Sequence, residues 1–173
     1  MSYLNDLKYK YSGFSIAEKI IFLNIILFVI PYFINTLLFL FNLNSKSYLE
    51  LFLLSPELND LIIRPWTIIT YSFVHDGFFH LFWNMLLLYY ISRMILNLFS
   101  PSTFINVYFL GVIVGGILFL LSYSFFPVFK GDISSMGGSS AGVMAAIIFM
   151  CTYSPDNEIR LFFFNFKLKY IGI

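Results

Sequence analysis

Residues 77–99 read GFFHLFWNMLLLYYISRMILNLF. The run is long enough for one membrane crossing, which takes about 20 mainly apolar residues in a helix. Three further stretches have the same character: about Ile20 to Phe41 with Pro31 as a kink, about Thr103 to Phe126 closed by Pro127, and about Met136 to Tyr153 closed by Pro155. A fifth begins near Leu168, a few residues before Ile173. The fold expected is therefore all-α, a polytopic transmembrane helical bundle with four complete spans and the start of a fifth. Bulk composition agrees. Of 173 residues, 60% are hydrophobic and 11% charged, with mean hydropathy +0.85. Soluble domains carry about 25% charged residues, so much of this surface must face a lipid bilayer. A net charge of +1 and a pI near 7.8 give no basis for a nucleic-acid partner. The single cysteine, Cys151, excludes an internal disulfide, and its apolar setting reads as packing.

Residues 1–19 are polar and mixed in charge (Asp6, Lys8, Lys10, Glu18, Lys19), and the apolar run after them is too long for a cleaved signal. They read as a cytoplasmic N-terminal segment ahead of a transmembrane domain over 20–173. The connection 42–76 alternates short apolar runs with charges and sets Trp66 near Arg64. It is expected to lie in the membrane interface, held by aromatic and basic anchors. Lys8, Lys10 and Lys19 precede span one, Arg93 ends span two, and Arg160, Lys167 and Lys169 follow span four. The positive-inside rule then puts the N-terminus in the cytoplasm, so spans two and four both enter from the outer face.

A polar group inside hydrocarbon needs a reason. His80 and Asn84 are four apart, on one face of span two. Ser140 lies about four residues into span four, roughly 6 Å down at the helical rise. The three are thus expected at matching depth. Gly138, Gly142 and Ala146 make a small face suited to close helix approach, as do Gly111 and Gly115 on span three. Gly137 and Gly138 precede a helix start whose N–H groups lack intrahelical partners, the kind of donor that stabilises an oxyanion. The plain alternatives are a serine bonded to an upstream carbonyl in a packed seam, and an interhelical clamp made by His80 and Asn84. A metal site is not expected, because His75 and His80 are five apart with no third ligand evident.

Arg64-Pro65-Trp66-Thr67, the stretch His75-Asp76-Gly77-Phe78-Phe79-His80-Leu81-Phe82-Trp83-Asn84, and Gly138-Ser139-Ser140-Ala141 together resemble the motifs of rhomboid intramembrane serine proteases. The likeness in order and spacing runs from about Arg64 to Ile173. It implies Ser140 as nucleophile, with His80, Asn84 and the Ser140 N–H forming the oxyanion hole, Gly138 supporting them, and His75 in a structural role. Gly-x-Ser spacing prefers Ser140 to Ser139. Ala141 stands where glycine is commonest in the family. The resemblance further implies cleavage of transmembrane protein substrates near the outer membrane face, with no cofactor or metal, in a bacterial inner membrane. Rhomboids draw their general-base histidine from the sixth span, in an Ala-His-x-x-Gly-like pattern. Here both histidines precede span three. The expectation is a fragment of an endopeptidase, incomplete at the C-terminus and inactive by itself. The competing class is an inactive rhomboid-like protein that binds transmembrane helices. A transporter fragment would show repeat symmetry between halves, and none is visible.

Overall fold

The computed structural model describes residues 5, 9, 11–43, 48–129, 131, 134–161 and 164–170, without the side chains of 159–161, 164–166 and 169. Six α-helices are described among them: α1 (Ile16–Leu40), α2 (Leu58–Ile63), α3 (Thr67–Thr70), α4 (Phe78–Leu98), α5 (Pro101–Phe125) and α6 (Ser140–Tyr153). Of these, α1, α4 and α5 are long and apolar enough to cross a membrane, and α6 is a shorter apolar helix. The helical bundle expected from the sequence is present, and the chain is an integral membrane protein.

Helix α1 starts before Ile20 because Ser15 caps it. The Ser15 hydroxyl accepts from the Glu18 N–H at 3.2 Å, and the Glu18 carboxylate accepts from the Ser15 N–H at 2.7 Å. That reciprocal pair satisfies two donors the helix itself leaves unpaired. The helix then runs on through Pro31 to Leu40. Only Ala17, Ile20 and Asn24 are buried along it, a single stripe on the side packed against α4. Asn24 donates to the Ile20 carbonyl at 2.8 Å, inside its own helix. The remaining faces carry exposed Val29, Ile30 and Phe33, as a lipid-facing span requires.

The connection expected in the interface folds on itself rather than running extended. The Trp66 indole donates to the Leu51 carbonyl at 2.9 Å, Thr70 to the Phe52 carbonyl at 2.9 Å, and Arg64 to the Glu50 carbonyl at 3.3 Å. Arg64 also pairs with Asp60 at 2.9 Å. The two anchors read from sequence thus tie α2 and α3 to the preceding 3-10 turn, Tyr48–Leu51. Leu54 and Met136 exchange backbone bonds at 3.1 and 2.8 Å, joining this segment to the approach of α6. Tyr71 is fully buried, and its hydroxyl donates to the Val112 carbonyl of α5 at 2.6 Å.

Helices α5 and α6 meet backbone to backbone. A Cβ on Gly115 would come within 2.5 Å of the Ala141 Cβ, and one on Gly111 would collide with the Ala145 Cβ. The close approach expected at Gly111 and Gly115 is there, but its partner surface is Ala141 and Ala145. The face expected from Gly138, Gly142 and Ala146 divides instead. Gly142 makes room for the Tyr108 ring, Ala146 is buried in the core, and Gly138 lies outside the helix.

Two boundaries differ from expectation. Helix α6 opens at Ser140, not near Met136, because Met136 is engaged by Leu54 and Gly138 turns the chain at φ +110°. After α6 comes a short antiparallel hairpin, β1 (Glu158–Leu161) with β2 (Phe164–Lys167), in the register Glu158 to Lys167. Leu168–Tyr170, where a fifth span was expected to begin, is a 3-10 turn, and 171–173 lie outside the described residues. Cys151 serves packing, as expected: its thiol donates to the Leu168 carbonyl at 3.0 Å and holds this turn on α6.

Candidate active site

The site forms where the head of α4 meets the turn that opens α6. That turn needs glycine twice. Gly138 sits at φ +110°, a backbone region that L side chains rarely adopt. A Cβ there would also stand 2.6 Å from Cε1 and Nε2 of His80. The His80 ring therefore lies directly on the Gly138 backbone, two residues before Ser140. A Cβ on Gly137 would reach within 2.7 Å of Leu53 Cδ2 and 3.0 Å of the Val74 carbonyl. The Gly138 N–H donates to the Tyr71 carbonyl at 2.9 Å, fixing the turn against the folded connection.

His75 is the internal brace. It is 5% exposed, its Nε2 accepts from the Ser139 N–H at 3.3 Å, and the Ser139 hydroxyl lies 3.3 Å from the same atom. Burial pushes its pKa down to about 4, with the neighbouring His80 ring acting in the same direction. His75 is thus a neutral acceptor at ordinary pH. The His75 and His80 rings meet edge to face at 5.1 Å. Ser139, a rival nucleophile by composition, is fully buried and held by His75. Ser140 is partly accessible, and its hydroxyl has no hydrogen-bond partner among the described residues.

Ser140 is the first residue of α6 rather than lying a turn inside it. The difference favours chemistry, since the first N–H groups of a helix have no intrahelical acceptor and carry the positive end of its dipole. Asn84 is 7% exposed and donates to the His80 carbonyl at 3.1 Å, which leaves its second amide N–H to give. His75, His80 and Gly138 meet at this junction, with Ser140 two residues further along the chain and Asn84 one helical turn below His80 on α4.

Sequence reasoning missed Asp76. Its carboxylate lies 2.6 Å from His80 Nδ1, and that bond holds its carboxyl below the usual carboxylate range. The i, i+4 spacing from Asp76 to His80 was the available signal. His75 and Asp76 line two cavities. One, of about 390 Å³, is shared with Tyr123, Ser134, Ser135 and Gly137. The other, of about 570 Å³, is shared with Tyr32, Asn35 and Phe78. Both cavities border the junction at His75 and Asp76. Among the described residues no group of three His, Cys, Asp or Glu is placed to hold a metal ion.

Comparison with known proteins fits this arrangement. No curated protein and no solved structure matches the chain. The Rhomboid domain family matches residues 64–173, which begin at the Arg64-Pro65-Trp66 stretch and include every residue of the junction. The chain belongs to the rhomboid family, whose members are intramembrane proteases and their inactive relatives.

Proposed function

We propose that this protein is a rhomboid-type intramembrane serine endopeptidase that cleaves transmembrane substrates near the outer membrane face, with Ser140 as its nucleophile. The observation that carries the reading is the seating of His80 on Gly138, which brings the polar head of α4 to the opening of α6. Ser140 Oγ attacks the scissile carbonyl carbon, and the carbonyl oxygen takes up negative charge. The Ser140 N–H, at a helix start, and the free amide N–H of Asn84 are the donors for that oxygen, with His80 beside them. Attack requires a base for the serine proton, which the base later returns to the leaving amine. Neither histidine of this chain is engaged with Ser140: His75 holds Ser139 and His80 holds Asp76. In this reading the base is a further histidine, on a later span, as in the family pattern. The N-terminus faces the cytoplasm of a bacterial cell, by the basic residues that flank the spans. Residues 1–19 form a cytoplasmic segment and 20–173 the transmembrane domain.

The same engagement of both histidines favours a second reading, an inactive relative that binds transmembrane helices. One experiment separates the two. The full-length protein is reconstituted with a model transmembrane substrate, and cleavage is followed for the wild type and Ser140→Ala. The protease reading predicts cleavage by the wild type and none by Ser140→Ala at equal expression. Cleavage that persists in Ser140→Ala removes Ser140 from the mechanism. A wild type that binds the substrate without cutting it establishes the second reading.

A further inference from the structure

The carboxylate of Asp76 determines which nitrogen of His80 faces the site. Asp76 Oδ1 is 2.6 Å from His80 Nδ1, while Nε2 and Cε1 are the ring atoms that press on Gly138. A carboxylate only accepts hydrogen bonds, so the proton between the two sits on His80 Nδ1. In the neutral ring Nε2 then carries the lone pair, on the part of the ring that lies against Gly138 at the approach to α6. The ring is otherwise bounded by the backbone of Gly138 and by the edge of His75, which itself accepts from Ser139. No other charged group among the described residues bonds to His80.

We propose that Asp76 is a positioning residue for His80: it takes the Nδ1–H, fixes the ring plane over Gly138, and directs Nε2 toward the Ser140 reaction centre. This rests on the protease reading above, with His80 as part of that centre. It also adds a constraint to it. A ring with its only proton on Nδ1 accepts at Nε2, and it donates to an oxyanion from Nε2 only when it carries a second proton there. The Asp76 carboxylate is the counter-charge adjacent to that doubly protonated ring. Asp76 is itself 88% exposed at its side chain, so its effect is mainly orientational, since solvent screens an exposed pair. Groups that orient a metal-ligating histidine through its second ring nitrogen change activity by roughly 10–100-fold when removed, and the lower end of that range is expected for an exposed carboxylate.

The test uses two independent readouts. The chain holds two histidines, so ¹⁵N-histidine labelling in lipid nanodiscs gives two ring systems, and His75→Gln assigns them. In the wild type, neutral His80 shows the Nδ1–H tautomer. In Asp76→Ala it shifts toward Nε2–H, and in Asp76→Glu it returns. In the full-length protein, Asp76→Ala lowers kcat for a transmembrane substrate about tenfold with KM unchanged, and Asp76→Glu recovers most of the loss. The same tautomer in wild type and Asp76→Ala overturns the proposal, as does an unaltered kcat. Because the tautomer is read without catalysis, a protein that never cleaves substrate refutes the protease reading while the Asp76 effect on His80 is still measured.

Discussion

At the scale of single residues, Gly138 and His75 make the firmest predictions. Gly138 has both a left-handed backbone and the His80 ring against its Cα. Gly138→Ala should destabilise the protein by about 1–3 kcal/mol from backbone strain and displace His80. Misplacement of a reacting group by an ångström costs on the order of 100-fold in rate, so substrate cleavage by this variant should fall far more than its thermal stability. Equal cleavage by Gly138→Ala and wild type would show that the His80 contact is unimportant. His75 makes a pH prediction. Burial lowers its pKa from 6.5 to about 4 in the fold, so the unfolded chain binds the extra proton between those values and the native state does not. Stability is full above about pH 6.5 and declines as pH falls toward 4, by up to about 3 kcal/mol. Melting temperature in detergent, measured from pH 7 to 4, should fall in the wild type and flatten in His75→Gln. A wild type and variant with parallel curves would contradict a buried neutral His75. At this scale the sequence was informative where spacing encodes contact: His80 with Asn84 at four residues, and Gly-x-Ser before a helix. His75 bonding Ser139 was not legible, because 64 residues separate the pair and only the folded connection brings them together.

At the scale of elements, the α5–α6 contact depends on side chains that are missing or nearly so. Gly111→Ala puts a methyl against the Ala145 Cβ and 3.0 Å from the Ala141 carbonyl. Both are held by helix backbone, and overpacking of this kind costs about 1–3 kcal/mol. Leu110→Ala, on the exposed face one residue away, removes contact with lipid rather than with protein. Denaturant or thermal unfolding in one detergent should show the glycine variant as the weaker of the two, and the reverse order would place the seam elsewhere. Helix cores could be read from apolar length, whereas helix ends could not. The start of α1 depends on the Ser15–Glu18 pair, and the start of α6 on Gly138 and on Met136 being claimed by Leu54. A hydropathy reading sees only that Met136 is apolar. The hairpin after α6 was missed for a similar reason: its strands hold apolar residues and sit beside basic ones, a mixture that also describes the flank of a span.

At the scale of the whole molecule, the folded connection between α1 and α4 joins the parts. It bonds to the α6 approach through Leu54 and Met136, to α5 through Tyr71, and to the Gly138 turn through the Tyr71 carbonyl. Loss of the Tyr71 hydroxyl in Tyr71→Phe leaves the buried Val112 carbonyl with its helical bond alone, at a cost of about 0.5–1.5 kcal/mol in thermal or denaturant unfolding. The proposed chemistry depends on Ser140, and not its buried neighbour Ser139, being the reactive hydroxyl. A serine-directed fluorophosphonate applied to the full-length protein in membranes, followed by peptide mapping, asks this directly. The prediction is a single adduct on Ser140, absent in Ser140→Ala and retained in Ser139→Ala. An adduct on Ser139, or active proteolysis with Ser140 unlabelled and replaceable, would contradict it.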